Sequence, residues 1–540
     1  MPTLVCVPVT VESIERALKD AALARLRGAD LVEFRIDSYF HGSTGSDAED
    51  GVVIKELQRL LAESPLPVVL TCRHASEGGD YDGNDADRVA LLEKLTAACD
   101  TPPAYLDFEL AAYQRSANIR QKINLCVTHP GQQRPGVTTR LILSLHDFEG
   151  RPADLERRLL AAYDEPACAV VKFAIRARSL RDNLDIFEIT SGAPKPTIGL
   201  GMGEFGLMSR VLAPKFGGYL TFATLNDEAA TAPGQPTLDE LMNQYRFRSI
   251  NPKTLVYGII GWPVTQSMSP LIHNAGFAEV GHDGVYLPLP IAADEKDHEA
   301  TDASFKATLA SLADHGPLHF SGASTTIPHK ERLLGFAQAR GWSIPEACVR
   351  IGAANTISGA PDAPSLANTD AMAIQALLRE AGITGGTVGV VGAGGVARAA
   401  VAGALELGAE VRITNRNYAR AEALASSFEN ASAVSIQDLG ACNALINCTP
   451  VGMTGGPVPD ALAIPLDDLP SLEPETVIFD TVYNPVETPL IKAARARGLT
   501  IIDGASMFVR QAAHQFELWT GQPAPEELFD RLVRERLAES

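Results

Sequence analysis

The chain has 540 residues, 46% of them hydrophobic, and a formal net charge of −20. That is the composition of a soluble globular protein long enough for roughly three or four domains. With this charge the surface as a whole does not favour nucleic acid or anionic membrane, so an anionic substrate must be met by locally placed arginines and lysines. Eight cysteines are scattered without a CxxC or paired pattern, and no apolar run approaches membrane length. A reducing, cytoplasmic setting is expected. A strand begins almost at once, at residues 4–9, so no signal or transit segment is expected.

Short apolar runs alternate with helical segments through the first half: residues 4–9, 30–37, 68–73, 104–109, 141–146, 168–174, 197–201 and 219–225. Eight strands with intervening helices, ending near residue 240, predict an α/β fold that opens with a (β/α)8 TIM barrel. Functional groups of such barrels lie at the C-terminal strand ends. In the second strand Glu33, Arg35 and Asp37 alternate onto one face, with Val32, Phe34 and Ile36 on the other. Three charges on one barrel face are expensive unless paired or used. The third strand ends in Arg73, with Glu77 just beyond; the fourth carries Asp107 and Glu109; the fifth ends in His146.

Lys172 interrupts the apolar sixth strand. Burial disfavours a lysine's charge, so its pKa is expected to be depressed, and a neutral amine attacks ketones to form a Schiff base. His146, one strand away, is placed to move protons. The alternative is a lysine paired with a barrel carboxylate such as Asp107.

Residues 232–254 hold a Pro/Gly turn, a short amphipathic helix and a polar Asn-Pro-Lys stretch, which puts a boundary near residue 250 and a linker over 241–253. A strand then leads to Ser267 and Ser269, and Pro270 starts a helix. Two such hydroxyls either bind a carboxylate or cap the helix. Lys330 follows another strand, and Asp370 precedes a helix.

Residues 387–400, TVGVVGAGGVARAA, read as a buried strand, a turn of Gly392, Ala393, Gly394 and Gly395, and a helix start. This is a pyrophosphate cradle, with Ala397 at the third glycine position, or else a turn without a ligand. The next strand, 410–414, ends not in an acid but in Asn415, Arg416 and Asn417, with Arg420 one turn on. Cations there suit a 2′-phosphate and point to NADP(H) rather than NAD; a solvated basic face is the alternative.

The segments EFRID, TCRHASEGG, LSLHDFEG, VVKFAI, GMGEFGLMSR and TAPGQ follow one another in the first half. Over about residues 1–240 the chain thereby resembles the type I 3-dehydroquinate dehydratases. The resemblance implies Lys172 as Schiff-base lysine and His146 as general acid/base, with Glu77 assisting and no metal. It implies that Glu33, Arg35, Arg73, Arg210 and Gln235 hold the substrate, Arg210 taking its carboxylate, and that Met202 and Phe222 line the pocket. A serine usual in that family is Thr231 here, and the loop from Phe222 to Gln235 is slightly longer.

From about residue 254 to 535 the segments GWPVTQSMSPLIHN, STTIPHKE, GAANTI, NTD, VVGAGGVARA, TNRNYARA, NCTPVGM, VYNPVETPLI and ASMFVRQAAHQF resemble shikimate dehydrogenase. This implies Lys330 and Asp370 as a catalytic pair. Ser267, Ser269, Thr326, Asn355, Tyr483 and Gln511 would hold shikimate. Gly392, Ala393, Gly394, Gly395, Asn415, Arg416 and Arg420 would hold NADP(H), with Thr449, Gly504 and Met507 near the nicotinamide. Ala367 and Ala373 stand where that family often has glycines around NTD, and retention of Ser269 and Thr326 favours shikimate over quinate. The implied domains are a barrel (1–240), the linker, a discontinuous substrate domain (254–370 and 505–540) and a Rossmann domain (371–504). Together the halves imply a fused shikimate-pathway enzyme acting on 3-dehydroquinate, 3-dehydroshikimate and shikimate, with no nucleic-acid or membrane partner. Oligomeric state and channelling stay open. So do three rivals: another Schiff-base lyase or aldolase, a quinate dehydrogenase, or one non-catalytic half.

Overall fold

The computed structural model describes residues 2–40, 47–96, 99–134, 136–226, 234–294, 296–360, 363–469 and 472–539. They form two compact units, Met1–Thr254 and Leu255–Ser540.

The first unit is an eight-stranded parallel barrel. Its strands are β1 Leu4–Thr10, β2 Leu31–Arg35, β3 Val68–Thr71, β4 Tyr105–Glu109, β5 Arg140–Asp147, β6 Cys168–Arg176, β7 Thr197–Met202 and β8 Leu220–Phe222. Pairing runs in chain order from β1 to β7, and β8 returns to β1. Beside β8, the Tyr219 N–H donates to the Thr197 carbonyl at 2.8 Å, which brings the last seam together. The period-2 alternation of strands decides what fills the interior. A lower layer is apolar: Cys6, Leu31, Val69, Tyr105, Ile142, Val170, Ile198 and Leu220 form one buried cluster. Two residues further along the same faces come Glu33, Thr71, Asp107, Ser144 and Lys172, a polar layer toward the C-terminal ends.

Residues 241–253, expected as a linker, are packed into this unit. Leu241, Tyr245, Phe247 and Ile250 are buried. Lys215 Nζ donates to the carbonyls of Pro252 (2.8 Å) and Thr254 (2.9 Å). Four apolar side chains in ten residues are too much surface to leave in water.

The second unit holds two sheets. The first orders as β10-β9-β11-β12-β13, from β9 Leu255–Gly261, β10 Gly284–Pro290, β11 Phe320–Thr325, β12 Thr356–Ala360 and β13 Ala363–Ala367. Its first three strands are parallel, whereas β12 and β13 form an antiparallel hairpin at the edge. The second sheet is wholly parallel: β14 Thr387–Val391, β15 Glu410–Thr414, β16 Ala431–Ala433, β17 Ala444–Asn447, β18 Val477–Asp480 and β19 Thr500–Ile502. Its order, β16-β15-β14-β17-β18-β19, reverses direction at β14. Dinucleotides bind at such a switch point. The helices Gly504–Thr520 and Glu526–Glu539 return to the first sheet. Phe516, Trp519, Phe529 and Val533 pack with Tyr257, Ile272, Phe277 and Tyr286. Among the described residues no helix is long and apolar enough to cross a membrane.

Candidate active sites

In the barrel, inward-facing residues of adjacent strands meet at the C-terminal end. One cavity there is lined by Glu33, Arg35, Arg73, Glu77, His146, Lys172, Met202, Arg210, Phe222 and Gln235. Thr231 lies outside the described residues.

Lys172 is buried, but not in the apolar surroundings that its own strand suggests. Nζ is 2.9 Å from Asp107 Oδ2 and 3.5 Å from Glu33 Oε1. The Phe222 ring centroid lies 4.6 Å away. Of the two readings of Lys172, the pairing with Asp107 is present, because neighbouring strands contribute carboxylates to the same polar layer. Asp107 also accepts from Arg73 Nη2 (2.7 Å) and Ser144 Oγ (2.6 Å). Burial opposes its charge, yet Arg73 and Lys172 prevail and hold the carboxyl well below the usual range. Glu33 accepts from Thr71 Oγ1 at 2.7 Å.

His146 Nδ1 lies 3.0 Å from Glu77 Oε2, and the His146 backbone N–H donates to the same oxygen at 3.2 Å. Burial, then Arg73 and Lys172, hold the imidazole well below its ordinary pKa, so it is neutral at neutral pH. With Glu77 accepting at Nδ1, the other ring nitrogen, Nε2, keeps its lone pair. Burial pushes the Glu77 carboxyl up to about 7, against the pull of Arg73.

The two arginines near the rim are already committed. Arg35 makes two bonds of 2.7 Å to Asp37, and Arg73 is shared among Asp107, Ser144 and Glu109. Arg210 is the exception. It is 1% exposed, and its Nε and Nη1 have no hydrogen-bond partner among the described residues. Burial alone lowers its pKa to about 10. A buried guanidinium without a partner is costly and suits a carboxylate ligand.

In the second unit a cavity gathers Ser267, Ser269, Thr326, Lys330, Asn355, Asp370, Tyr483, Gly504, Met507 and Gln511. Lys330 Nζ donates to Asp370 Oδ2 at 2.5 Å, joining the starts of the helices Lys330–Arg340 and Thr369–Glu380. Ser267 Oγ accepts from the Ser269 N–H at 3.2 Å and faces the cavity, while the helix Ser269–Glu279 has Met268 at its N-cap and no side-chain cap bond. Asn355 Oδ1 takes bonds from Thr369 N (2.8 Å) and Thr356 Oγ1 (2.9 Å), which orients its amide.

Gly392, Ala393, Gly394, Gly395, Asn415, Arg416, Arg420 and Thr449 do not line that cavity. They follow β14, β15 and β17 around the switch point. Gly392 has φ +123°, and a Cβ there would lie 3.0 Å from the Cys448 carbonyl oxygen. A Cβ on Gly394 or Gly395 would meet nothing within 4 Å. The helix Gly395–Leu405 has no side-chain cap, so its first N–H groups are open to an anion. Arg416 and Arg420 are exposed and have no ion pair among the described residues. This set fits a dinucleotide with a 2′-phosphate.

Residues 5–252 match the type I 3-dehydroquinase family. Residues 259–357 match the shikimate dehydrogenase substrate binding domain, 361–480 the alanine dehydrogenase/PNT C-terminal domain and 504–534 the shikimate 5'-dehydrogenase C-terminal domain. The chloroplastic bifunctional 3-dehydroquinate dehydratase/shikimate dehydrogenase of Arabidopsis thaliana is 36% identical over 98% of this chain and 84% of its own length. The chain belongs to this bifunctional dehydratase/dehydrogenase family. A shikimate dehydrogenase (NADP(+)) of Methanocella arvoryzae is 37% identical over 52% of the chain and 99% of its own. The solved dehydroquinate dehydratase and shikimate dehydrogenase from S. pombe AroM covers 99% of this chain and 98% of that one, at 24% identity and a TM-score of 0.42.

Some residues that shape the two sites of this family member were not singled out from the sequence. Arg88, in the helix Asp85–Thr96, is fully buried and donates to Glu109 Oε2 (2.7 Å), Asp85 Oδ1 (2.7 Å) and the Cys72 carbonyl (2.9 Å). Its spacing with Leu91, Leu92 and Leu95 puts it on the apolar helix face, a signal that could have found it. Thr71 and Ser144 carry no such signal beyond strand parity. Ser324, Thr325, Thr481 and Gln515 add to the second cavity.

Proposed function

We propose that the barrel dehydrates 3-dehydroquinate to 3-dehydroshikimate and that the second unit reduces 3-dehydroshikimate to shikimate with NADPH. These are consecutive steps toward chorismate and the aromatic amino acids. One observation carries the reading: a lysine, an imidazole held below its ordinary pKa and a buried guanidinium whose Nε and Nη1 have no partner among the described residues line a single cavity.

Lys172 gives up a proton and its amine adds to the substrate ketone; loss of water leaves an iminium. The iminium withdraws electrons from the neighbouring C–H bond more strongly than the ketone does. His146 Nε2 takes that proton, and the imidazolium returns it to the departing hydroxyl, which leaves as water. Hydrolysis of the iminium frees the product and Lys172. Glu77, at Nδ1, steadies the positive charge on the ring. Asp107 and Glu33 balance the lysine as ammonium and as iminium, so a positive nitrogen is accommodated throughout. Arg210 takes the carboxylate, and Met202, Phe222 and Gln235 enclose the ring. Arg73, engaged by carboxylates, holds Asp107 in place.

In the second unit NADPH supplies the hydride when bound. Lys330 gives a proton to the carbonyl oxygen as it gains charge, and Asp370 fixes the ammonium. Ser267, Ser269, Thr326, Asn355, Tyr483 and Gln511 supply polar contacts for hydroxyls and carboxylate. Arg416 and Arg420 select the 2′-phosphate.

Borohydride reduction in the presence of 3-dehydroquinate tests the covalent step. Mass spectrometry is expected to find the adduct on the peptide bearing Lys172, and none in Lys172→Ala, whose dehydration slows by more than about 10⁴-fold. Dehydration that persists in that variant refutes the assignment.

A further inference from the structure

The C-terminal end of β18 carries a carboxylate that the mechanism does not use. Asp480 is fully buried, and no cation pairs with it among the described residues. Burial raises its pKa, opposed by Thr488, Val482 and Asn447. A buried charge kept among neutral donors is expensive, so its hydrogen bonds must be complete.

They lead to three different segments. Asp480 Oδ1 accepts from Asn447 Nδ2 (2.8 Å) and from the Val482 N–H (3.1 Å), and Oδ2 accepts from Thr488 Oγ1 (2.6 Å). Asn447 passes one link on: its Oδ1 accepts from Thr449 N (2.9 Å) and Thr449 Oγ1 (2.7 Å), beside the glycine turn. Val482 passes on another. Its neighbours Thr481 and Tyr483 line the substrate cavity. Its carbonyl lies so close to Gly504 that a Cβ there would come within 2.2 Å of the oxygen. Gly504 opens the helix that carries Met507 and Gln511. Thr488 caps the helix Pro489–Ala496. One carboxylate therefore fixes a segment on the dinucleotide side and a segment on the substrate side, through different bonds.

We propose that Asp480 is a positioning residue that sets the Thr449 segment for NADP(H) and the Thr481–Tyr483 segment for the substrate, with Asn447 as its arm to the nucleotide side alone. The proposal rests on the dehydrogenase reading of this cavity. Its bonds sort the expected effects. Asp480→Ala removes both arms. Asp480→Asn keeps an oxygen for Asn447 and Val482 and turns its amide to Thr488, whose hydroxyl accepts instead. Asn447→Ala cuts the nucleotide arm only.

Calorimetric titration of the full chain with NADP⁺ and, separately, with shikimate reads binding without turnover, and the stoichiometry of each titration reports the fraction of intact second units. Asp480→Ala is expected to weaken both ligands by about tenfold or more, and Asp480→Asn to restore both to within about threefold of wild type. Asn447→Ala is expected to weaken NADP⁺ by about tenfold and shikimate by less than about twofold. A merely structural role lowers the fraction of sites able to bind and leaves each dissociation constant unchanged; that result overturns the proposal. So does Asn447→Ala weakening both ligands alike, which decides the matter even if Asp480→Ala fails to fold. A wild-type chain that binds NADP⁺ but not shikimate overturns the reading of the cavity, while the NADP⁺ results for the three variants still judge Asp480.

Discussion

Glu77 is the group whose removal separates stability from chemistry in the barrel. Burial moves its carboxyl from 4.5 to about 7. A shift of that size corresponds to about 3 kcal/mol between protonated and ionised forms. The sign follows from proton binding. Between about pH 4.5 and 7 the folded chain holds a proton that the unfolded chain has released, so stability falls as pH rises through this window. Above pH 7 the full cost of the buried carboxylate is present; below 4.5 both states are protonated and it vanishes. Glu77→Gln removes the charge and keeps an acceptor for His146. Some of the gain is lost with the charge-assisted bond at Nδ1. The variant is therefore expected to stabilise the barrel by about 1–3 kcal/mol at pH 8 and by less than about 1 kcal/mol at pH 5. At about 2–4 °C per kcal/mol, the pH 8 gain is readable by calorimetry. Dehydratase kcat is expected to fall by about 10–100-fold, as for loss of a group that orients a catalytic one. Wild-type kcat is expected to fall below about pH 7 as Glu77 protonates, and that limb is expected to disappear in the variant. An equal stability difference at both pH values, or a variant less stable at pH 8, refutes the reasoning.

Two further outcomes follow from the same kind of accounting. Arg210→Met replaces a buried cation, whose Nε and Nη1 have no partner among the described residues, by an apolar side chain of similar length. It is expected to raise the barrel's unfolding free energy by about 1–3 kcal/mol and the KM for 3-dehydroquinate by about 10–100-fold; a less stable variant with unchanged KM contradicts both. Arg416→Ala removes an exposed cation at the end of β15. Its Kd for NADP⁺ is expected to rise by about 10-fold with Kd for NAD⁺ unchanged, and parallel changes in the two would show that the arginine does not meet the 2′-phosphate.

The barrel was legible because strand parity is a strong signal. Glu33, Arg35, Arg73, Asp107 and His146 stood at positions that only an inward face brings together, and they meet there. Composition of one strand could not show what the neighbouring strands contribute. Pairing of Lys172 with Asp107 was one of two open readings, and only the neighbouring strands decide for it. The 241–253 segment read as a linker with a short amphipathic helix, and Leu241 and Tyr245, four residues apart, are indeed buried; Phe247 and Ile250 lie beyond that helix in the stretch that looked polar, and they are buried too. The antiparallel β12–β13 pair was hidden by its length, since two five-residue strands give little alternation to read. In the second unit the glycine turn and the Lys330–Asp370 pair were visible as motifs. The Asp480 hub was not: its partners Asn447 and Thr488 lie 33 and 8 residues away, and none forms a pattern with the others.

The most direct measurement mixes the full chain with 3-dehydroquinate and NADPH, follows NADPH loss and identifies the product. Shikimate, formed with one NADPH consumed per molecule, is the result expected if both cavities work in sequence. Quinate as product, or NADPH untouched with 3-dehydroshikimate as well as with 3-dehydroquinate, would contradict the account.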